Sequence, residues 1–285
     1  MYKDFYGLRD NPFRLNPDPR YLCLNTAVQE AISAILYGIR SRKGILLLIG
    51  EVGSGKTTLI NLILDRLQKS KVTTGFIFNA RENTNDFLEL VLTDLGIEYP
   101  AGSSRAQMLT RLNQFLLERS KKGQLTALII DEAQNLSPEV LEEVRLLTNL
   151  ETSTEKLLQV VLSGQPELVY KLVQPRLRQL CQRIAFHVRL SPLTSEQSRE
   201  YILLRLAVAG ADQRKPIFND DALKKIHNNS RGIPRLINLL CEHSLLHGFV
   251  DEMFPISGET VEKAMDDLVL SLKPSSALID AELQQ

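Results

Sequence analysis

The sequence predicts an α/β protein, with a parallel sheet between layers of helix, followed by a small all-helical domain. Three observations point there. Short apolar runs alternate with helical periodicity from residue 44 to about residue 190, as parallel strands buried on both faces require. A glycine-rich loop, residues 50–57, stands between the first apolar run and a helical stretch. After Pro192 no convincing strand follows, and the remaining periodic stretches read as helix.

Residues 1–25 are rich in aromatic residues and proline: Phe5, Tyr6, Pro12, Phe13, Pro17, Pro19 and Tyr21. Proline fixes φ and lacks an N–H donor, so this segment reads as an irregular arm packed on a surface. Thr26 suits the N-cap of a helix running to about Lys43, with Ile32, Ile35, Leu36 and Ile39 on one face. Residues 44–49 form a buried strand, 56–69 a helix, 72–79 a β-rich run and 85–95 a helix. A loop at 96–104 precedes an amphipathic helix at 105–121 and a second buried apolar strand at 125–130.

Ser137 and Pro138 open another helix as N-cap and first-turn residue. Residues 157–162 form a further buried strand, and 184–190 another with less clean alternation. Beyond a boundary near residue 191, helices are expected at 194–209, 220–229, 234–247 and 258–270. The expected organisation is an arm and helix over 1–43, an α/β domain over 44–190, a helical domain over 191–271, and a flexible tail over 272–285.

With 44% hydrophobic and 24% charged residues in 285, the composition is that of an ordinary globular protein. The net charge is zero, which excludes a whole-molecule electrostatic footprint for nucleic acid. Residues 191–285 carry 10 basic and 14 acidic side chains, so any basic surface is expected on residues 1–190, which are net +4. Cys23, Cys181 and Cys241 are far apart and form no ligand cluster, as expected of buried thiols in a reducing compartment. The N-terminus lacks a signal-peptide layout, and no apolar run approaches the ~20 residues needed to span a bilayer. A cytoplasmic protein is expected, without direct membrane insertion, reaching any membrane through a partner. His243 and His247 have i, i+4 spacing but no third ligand, so a metal site there is not expected.

The chemistry is concentrated in two motifs. Gly50-Glu51-Val52-Gly53-Ser54-Gly55-Lys56-Thr57, with Thr58 next, fits G-x-x-x-x-G-K-[ST] between a strand and a helix. Glycines there let backbone N–H groups turn around a β-phosphate at the positive end of the helix. Lys56 would reach the β- and γ-phosphates of ATP, and the Thr57 hydroxyl would ligate Mg²⁺. In the second motif, the apolar run Leu128-Ile129-Ile130 ends in Asp131-Glu132. Asp131 can hold the shell of Mg²⁺, and Glu132 can orient or deprotonate an attacking water. A Glu in that place predicts an ATPase rather than a passive binder.

On these motifs, with FYGLRDNPFRLNPDPRYL, LIIDEAQNL, LSGQPEL and GIPRLINLLCEHSL, the chain resembles a known family. It is similar to the AAA+ ATPase domain of the general secretion pathway protein A (ExeA-like) family, including MSHA-type pilus biogenesis ATPases. It also resembles the TniB/TnsC-type transposition ATPases. The resemblance covers about residues 1–270.

It implies a P-loop NTPase fold of five parallel strands in the order 5-1-4-3-2, with a helical lid. Gln165 would be the sensor-1 residue at the γ-phosphate, with Ser163 as the alternative. Arg235 would be the sensor-2 arginine; its apolar neighbours further predict a buried anionic partner. Arg183 would be the arginine finger offered to a neighbouring subunit, with Arg178 and Arg176 as rivals, so a ring or filament of the chain with itself follows. The arm before Gly44 would hold the adenine, with Pro12 and Phe13 as an apolar lid, or else pack on the core.

The activity so implied is that of an oligomeric ATP-hydrolysing motor or switch serving an envelope machine for secretion, pilus or exopolysaccharide export. Its partner would be a protein of that machine. The rival is an ATP-dependent, DNA-associated regulator of transposition, which the neutral charge and the acidic helical part speak against. Secretion-type members often continue into a membrane helix and a peptidoglycan-binding domain, which this sequence does not include; that fits a cytoplasmic member or a truncated chain.

Overall fold

The computed structural model describes residues 1–16, 18–21, 23–78 and 84–272. They form two compact units: Leu24–Ser191, and Met1–Cys23 together with the chain from Pro192 onward. In chain order the elements are α1 (Tyr2–Phe5), α2 (Thr26–Arg40), β1 (Ile45–Gly50), α3 (Lys56–Lys69), β2 (Thr73–Phe78) and α4 (Thr84–Asp94). Then follow α5 (Arg105–Lys121), β3 (Thr126–Asp131), α6 (Pro138–Leu147), β4 (Leu158–Gly164), α7 (Pro166–Leu172), α8 (Arg178–Cys181) and β5 (Ile184–Leu190). The helices α9 (Ser195–Val208), α10 (Asp220–Ser230), α11 (Pro234–Val250) and α12 (Gly258–Leu272) complete the described chain. Asn79, the expected end of the β-rich run 72–79, and tail residues 273–285 lie outside the described residues.

All strand pairs are parallel, in the order β2-β3-β4-β1-β5, which is the implied 5-1-4-3-2 order read from the other edge. The central strands β1, β3 and β4 are buried along their whole length, because helices cover both faces. Alternation sends Ile45, Leu47 and Ile49 into one core layer with α4, α5 and α6, and Leu46 and Leu48 into the other with α2 and α3. Gly38 lets α2 approach β1 closely: a Cβ there would lie 2.5 Å from Leu46 Cδ2.

Local signals account for most helix ends. Asn25, rather than Thr26, caps α2, its side chain accepting from the Val28 N–H at 2.9 Å. This helix stops at Arg40, short of Lys43, and Arg42 takes the left-handed conformation (φ 52°) that ends it. Ser104 and Gln107 form a capping box at α5, and Ser137 caps α6 with Pro138 at its first position. The short helices α7 and α8 are additions to the sequence reading.

The second unit gathers α9 to α12 around a separate core that includes the N-terminal segment. Residues 1–43, expected as one arm and helix, are divided: Met1–Cys23 joins the helical unit, whereas α2 joins the sheet. The segment is less irregular than expected, with one helical turn at α1 and a 3-10 turn at Pro19–Tyr21. Tyr6, Leu8 and Phe13 pack with Ile202, Leu206, Phe218 and Ile237; Phe13 is only 1% exposed, so of its two expected roles core packing is the one found. Arg205 holds the segment in place, donating to the carbonyl oxygens of Pro12 and Arg14 and to the Tyr201 hydroxyl, with its guanidinium 4.7 Å from the centre of the Tyr21 ring. Among the described residues no helix is long and apolar enough to cross a membrane.

Candidate nucleotide site

β1 delivers the chain into the glycine-rich loop, and α3 carries it away. Gly53 and Gly55 have φ of 78° and 94°, the left-handed region that glycine enters without strain. Gly50 is required for space: a Cβ would sit 2.5 Å from Ser54 Oγ and 3.2 Å from Leu190 Cβ. Glu51 and Val52 are exposed at the loop tip, while Thr57 and Thr58 are half-buried in the first turn of α3. That turn holds no acidic residue, leaving its positive end for an anion.

Lys56 is 5% exposed and donates from Nζ to the carbonyl oxygens of Gly50 (2.8 Å) and Glu51 (3.1 Å). Burial holds its pKa below the ordinary lysine value, while the carboxylates of Glu132 and Asp131 oppose that shift. Ser54 Oγ is buried with no hydrogen-bond partner among the described residues. An orphaned hydroxyl, a buried ammonium and an uncapped helix start in one cradle fit a phosphate group.

Asp131 and Glu132 sit side by side in sequence but in different surroundings. Asp131 is fully buried; Oδ2 accepts from Thr57 Oγ1 at 3.0 Å, and Oδ1 accepts from Ser163 Oγ at 2.7 Å and from the Glu132 N–H at 3.0 Å. Thr57 and Asp131, expected to share a metal ion, are thus in direct contact, and their hydroxyl and carboxylate oxygens are the hard donors Mg²⁺ prefers. Glu132 is half-buried, and its Oε2 accepts from the amide nitrogens of Gln134 and Gln165, the latter at 3.0 Å.

Its backbone is also unusual. Among the described residues the non-glycine positions with positive φ are Arg42, Lys71, Arg231 and Glu252, each at a helix C-terminus, and Glu132 (φ 54°), which follows a strand. The left-handed turn swings the Glu132 side chain out of the strand's alternation, at a cost of about 1 kcal/mol.

Gln165 and Ser163, alternatives for one role in the sequence, divide: Ser163 addresses Asp131 and Gln165 addresses Glu132. Gln134, in the 3-10 turn Ala133–Asn135, and Lys171 were not singled out from the sequence. The Lys171 ammonium donates to the carbonyl oxygens of Gln134 (2.6 Å) and Leu136 (2.8 Å), tying α7 to the turn after Glu132. The adjacency of Gln134 to the Asp-Glu pair was the available signal.

Arg176, Arg178 and Arg183 share no hydrogen bond with Asp131, Glu132, Gln134 or Gln165 among the described residues. Arg183 donates to Asn149 Oδ1, and Arg176 to Gln174 Oε1 at 3.3 Å. Arg178 is exposed on α8 and makes no side-chain bond among the described residues. Arg235 corrects an expectation: it is exposed in the first turn of α11 and has no ion pair among the described residues. The buried face of that helix runs through Ile237, Leu240, Cys241, Ser244, Leu245 and Gly248, and Arg235 lies on the opposite side. Its loop is nonetheless tightly specified. Gly232 has φ 73°, its carbonyl accepts from the Leu193 N–H at 2.9 Å, and a Cβ would lie 2.0 Å from the Leu193 carbonyl oxygen. His247 pairs with Asp267 at 2.9 Å rather than with His243.

Comparison with known proteins follows the same lines. The family described as "AAA domain" matches residues 39–172, which include the loop, Asp131, Glu132 and Gln165. General secretion pathway protein A of Aeromonas hydrophila is 41% identical over 249 residues, covering 87% of this chain and 45% of that protein.

The chain belongs to the AAA+ P-loop family.

Solved AAA+ folds agree. Cdc6p from Pyrobaculum aerophilum aligns with a TM-score of 0.69 at 21% identity, over 94% of this chain and 75% of that one. The ORC2 protein of Aeropyrum pernix aligns with a TM-score of 0.66 at 17% identity, over 90% of this chain and 71% of that one. At such identities the shared property is the fold. The chain spans about half the length of the curated relatives it matches. The AAA+ fold implies nucleotide binding.

Proposed function

We propose that the chain binds ATP with Mg²⁺ and hydrolyses it, working as an oligomeric motor or switch that serves a bacterial envelope machine. The observation that carries the reading is the contrast between two adjacent carboxylates. Asp131 is fully buried and held on both oxygens beside Thr57, whereas Glu132 is half-buried and held on one oxygen only. That contrast supports a metal-side role for Asp131 with Thr57, and a water-side role for Glu132.

In this reading the N–H groups of residues 50–57 and the Lys56 ammonium bind the phosphates, with Thr58 continuing the same turn. Mg²⁺, when bound, supplies neutralisation of charge on the phosphate oxygens. Glu132 takes a proton from, or orients, the attacking water, and Gln165 is the sensor that steadies it. Arg235, exposed at a helix start where a cation is unfavourable without an anion nearby, is the proposed sensor-2 residue. The finger that acts on a neighbouring copy is drawn from Arg183, Arg178 and Arg176. In this reading the protein serves a secretion-type machine from the cytoplasmic side through a protein partner, which the 41% identity with general secretion pathway protein A supports.

The test combines ATP turnover with mass by light scattering for wild type, Lys56→Ala and Glu132→Gln, each with and without Mg-ATP and short duplex DNA. Glu132→Gln is expected to keep ATP binding, to lose about 10²–10⁴-fold in kcat, and to grow into rings or filaments only with ATP. Equal turnover of wild type and Glu132→Gln would refute the hydrolytic role. A monomer under every condition with ATP bound would remove the finger in trans. Growth that requires DNA would move the transposition-type reading ahead of the secretion-type one.

A further inference from the structure

We infer that Gln134 is a positioning residue for Glu132, and that Gly164 is glycine to make room for it. This rests on the hydrolytic reading above. Three bonds radiate from Gln134. Its side-chain nitrogen donates to Glu132 Oε2, its side-chain oxygen accepts from the Gln165 N–H at 3.1 Å, and its backbone oxygen accepts from Lys171 at 2.6 Å. The amide therefore joins the carboxylate to the first residue before α7, and Gln165 closes the loop by donating to the same Oε2.

Both amide donors fall on Oε2, and among the described residues none donates to Oε1. A carboxylate pinned by one oxygen keeps its plane fixed while the other oxygen stays available to accept from water. Such fixation matters because Glu132 sits on a left-handed residue, whose side chain has no strand neighbours to set its direction.

Gly164 supplies an independent observation. A Cβ there would lie 2.8 Å from Gln134 Oε1 and 2.8 Å from Leu168 Cδ2, closer than side chains tolerate. Gly164 is the last residue of β4 and is paired with Ile49 of β1, so its backbone cannot retreat without breaking the sheet. A methyl group at 164 must therefore displace the Gln134 amide or the Leu168 side chain. Only the first of these touches the Glu132 carboxylate.

The experiment measures kcat, KM and nucleotide affinity for wild type, Gln134→Met, Gly164→Ala and the double variant, with thermal melting on each. Met keeps the length of the side chain and removes the amide. Gln134→Met is expected to lose about 10- to 100-fold in kcat with nucleotide affinity and melting temperature nearly unchanged, since a misplaced catalytic group costs rate rather than binding. Gly164→Ala is expected to lower kcat as well, and to lower it much less once Gln134 is already Met. Unchanged or raised kcat in Gln134→Met would overturn the inference, as would parallel loss of affinity and melting temperature, which marks a merely structural role. Fully additive rate losses in the double variant would overturn the part assigned to Gly164. A wild type that binds ATP and never turns it over would instead remove the hydrolytic reading, and this one with it.

Discussion

Lys56 and Arg205 are the two basic side chains buried among the described residues, one in each unit, and they are held in different ways. Lys56 stands in the α/β unit at the end of a strand-loop-helix turn, bonded to two carbonyl oxygens of its own loop. Arg205 stands in the helical unit, bonded to carbonyl oxygens about 190 residues away along the chain and stacked on Tyr21 and Tyr201. The first contact is local and adds nothing that ties distant segments together. The second fastens the N-terminal segment to α9. A buried cation that serves a ligand is expected to cost stability, because desolvation is only partly offset until the anion binds. A buried cation that serves the fold is expected to supply it.

The largest expected effect tests the second half of that contrast. Arg205→Met should lower the unfolding free energy by about 3 kcal/mol, measured by urea denaturation, because the carbonyl oxygens of Pro12 and Arg14 lose charged donors inside a core. A loss within 0.5 kcal/mol, which is about what a surface substitution gives, would break the comparison. Next in size is Lys56→Met, expected to weaken ATP binding about 100-fold in a fluorescent-nucleotide titration.

Gly232→Ala sharpens the picture of the helical unit. With φ at 73° and the Leu193 carbonyl oxygen 2.0 Å from the added methyl group, it should cost about 2 kcal/mol of stability. Retained stability would mean that the loop before Arg235 is not held by that contact.

The smallest effect has the opposite sign. Lys56→Met should leave the protein as stable as wild type or raise its unfolding free energy by about 1 kcal/mol. The pKa of Lys56 is lowered in the folded protein by burial, so between that lowered value and the ordinary lysine value the unfolded chain binds the extra proton. Wild-type stability should therefore rise with pH through that window relative to Lys56→Met, with the full cost of burial present below it. Denaturation curves that run parallel from neutral pH to about pH 10.5 would contradict the assignment of a buried, destabilising ammonium.

Much of this architecture is legible before any coordinates. α3 and α5 begin and end where periodicity places them, and the central strands are visible because burial on both faces makes them continuously apolar. The cap of α2 is one residue from its expected place because Asn25 and Thr26 are both good caps, and only geometry chooses between neighbours. Short helices such as α7 carry too few turns to show a period. The apolar company Arg235 keeps in sequence predicts a buried anionic partner, yet on a helix neighbours in sequence point in different directions.

The glycine-rich loop, the Asp131–Glu132 pair and the parallel sheet are legible without coordinates. These depend on contiguous residues and on two short repeat periods, 2 and 3.6, which the chain displays directly. Tertiary structure alone decided that residues 1–23 join the helical unit while α2 joins the sheet, and that Ser163 turns to Asp131 while Gln165 turns to Glu132. It alone decided, too, that Gln134 bridges Glu132 to α7. Each of those outcomes is a hydrogen bond or a packing contact between segments remote in sequence. Local preference does not encode such pairings, which become definite only when the strands have fixed the distances.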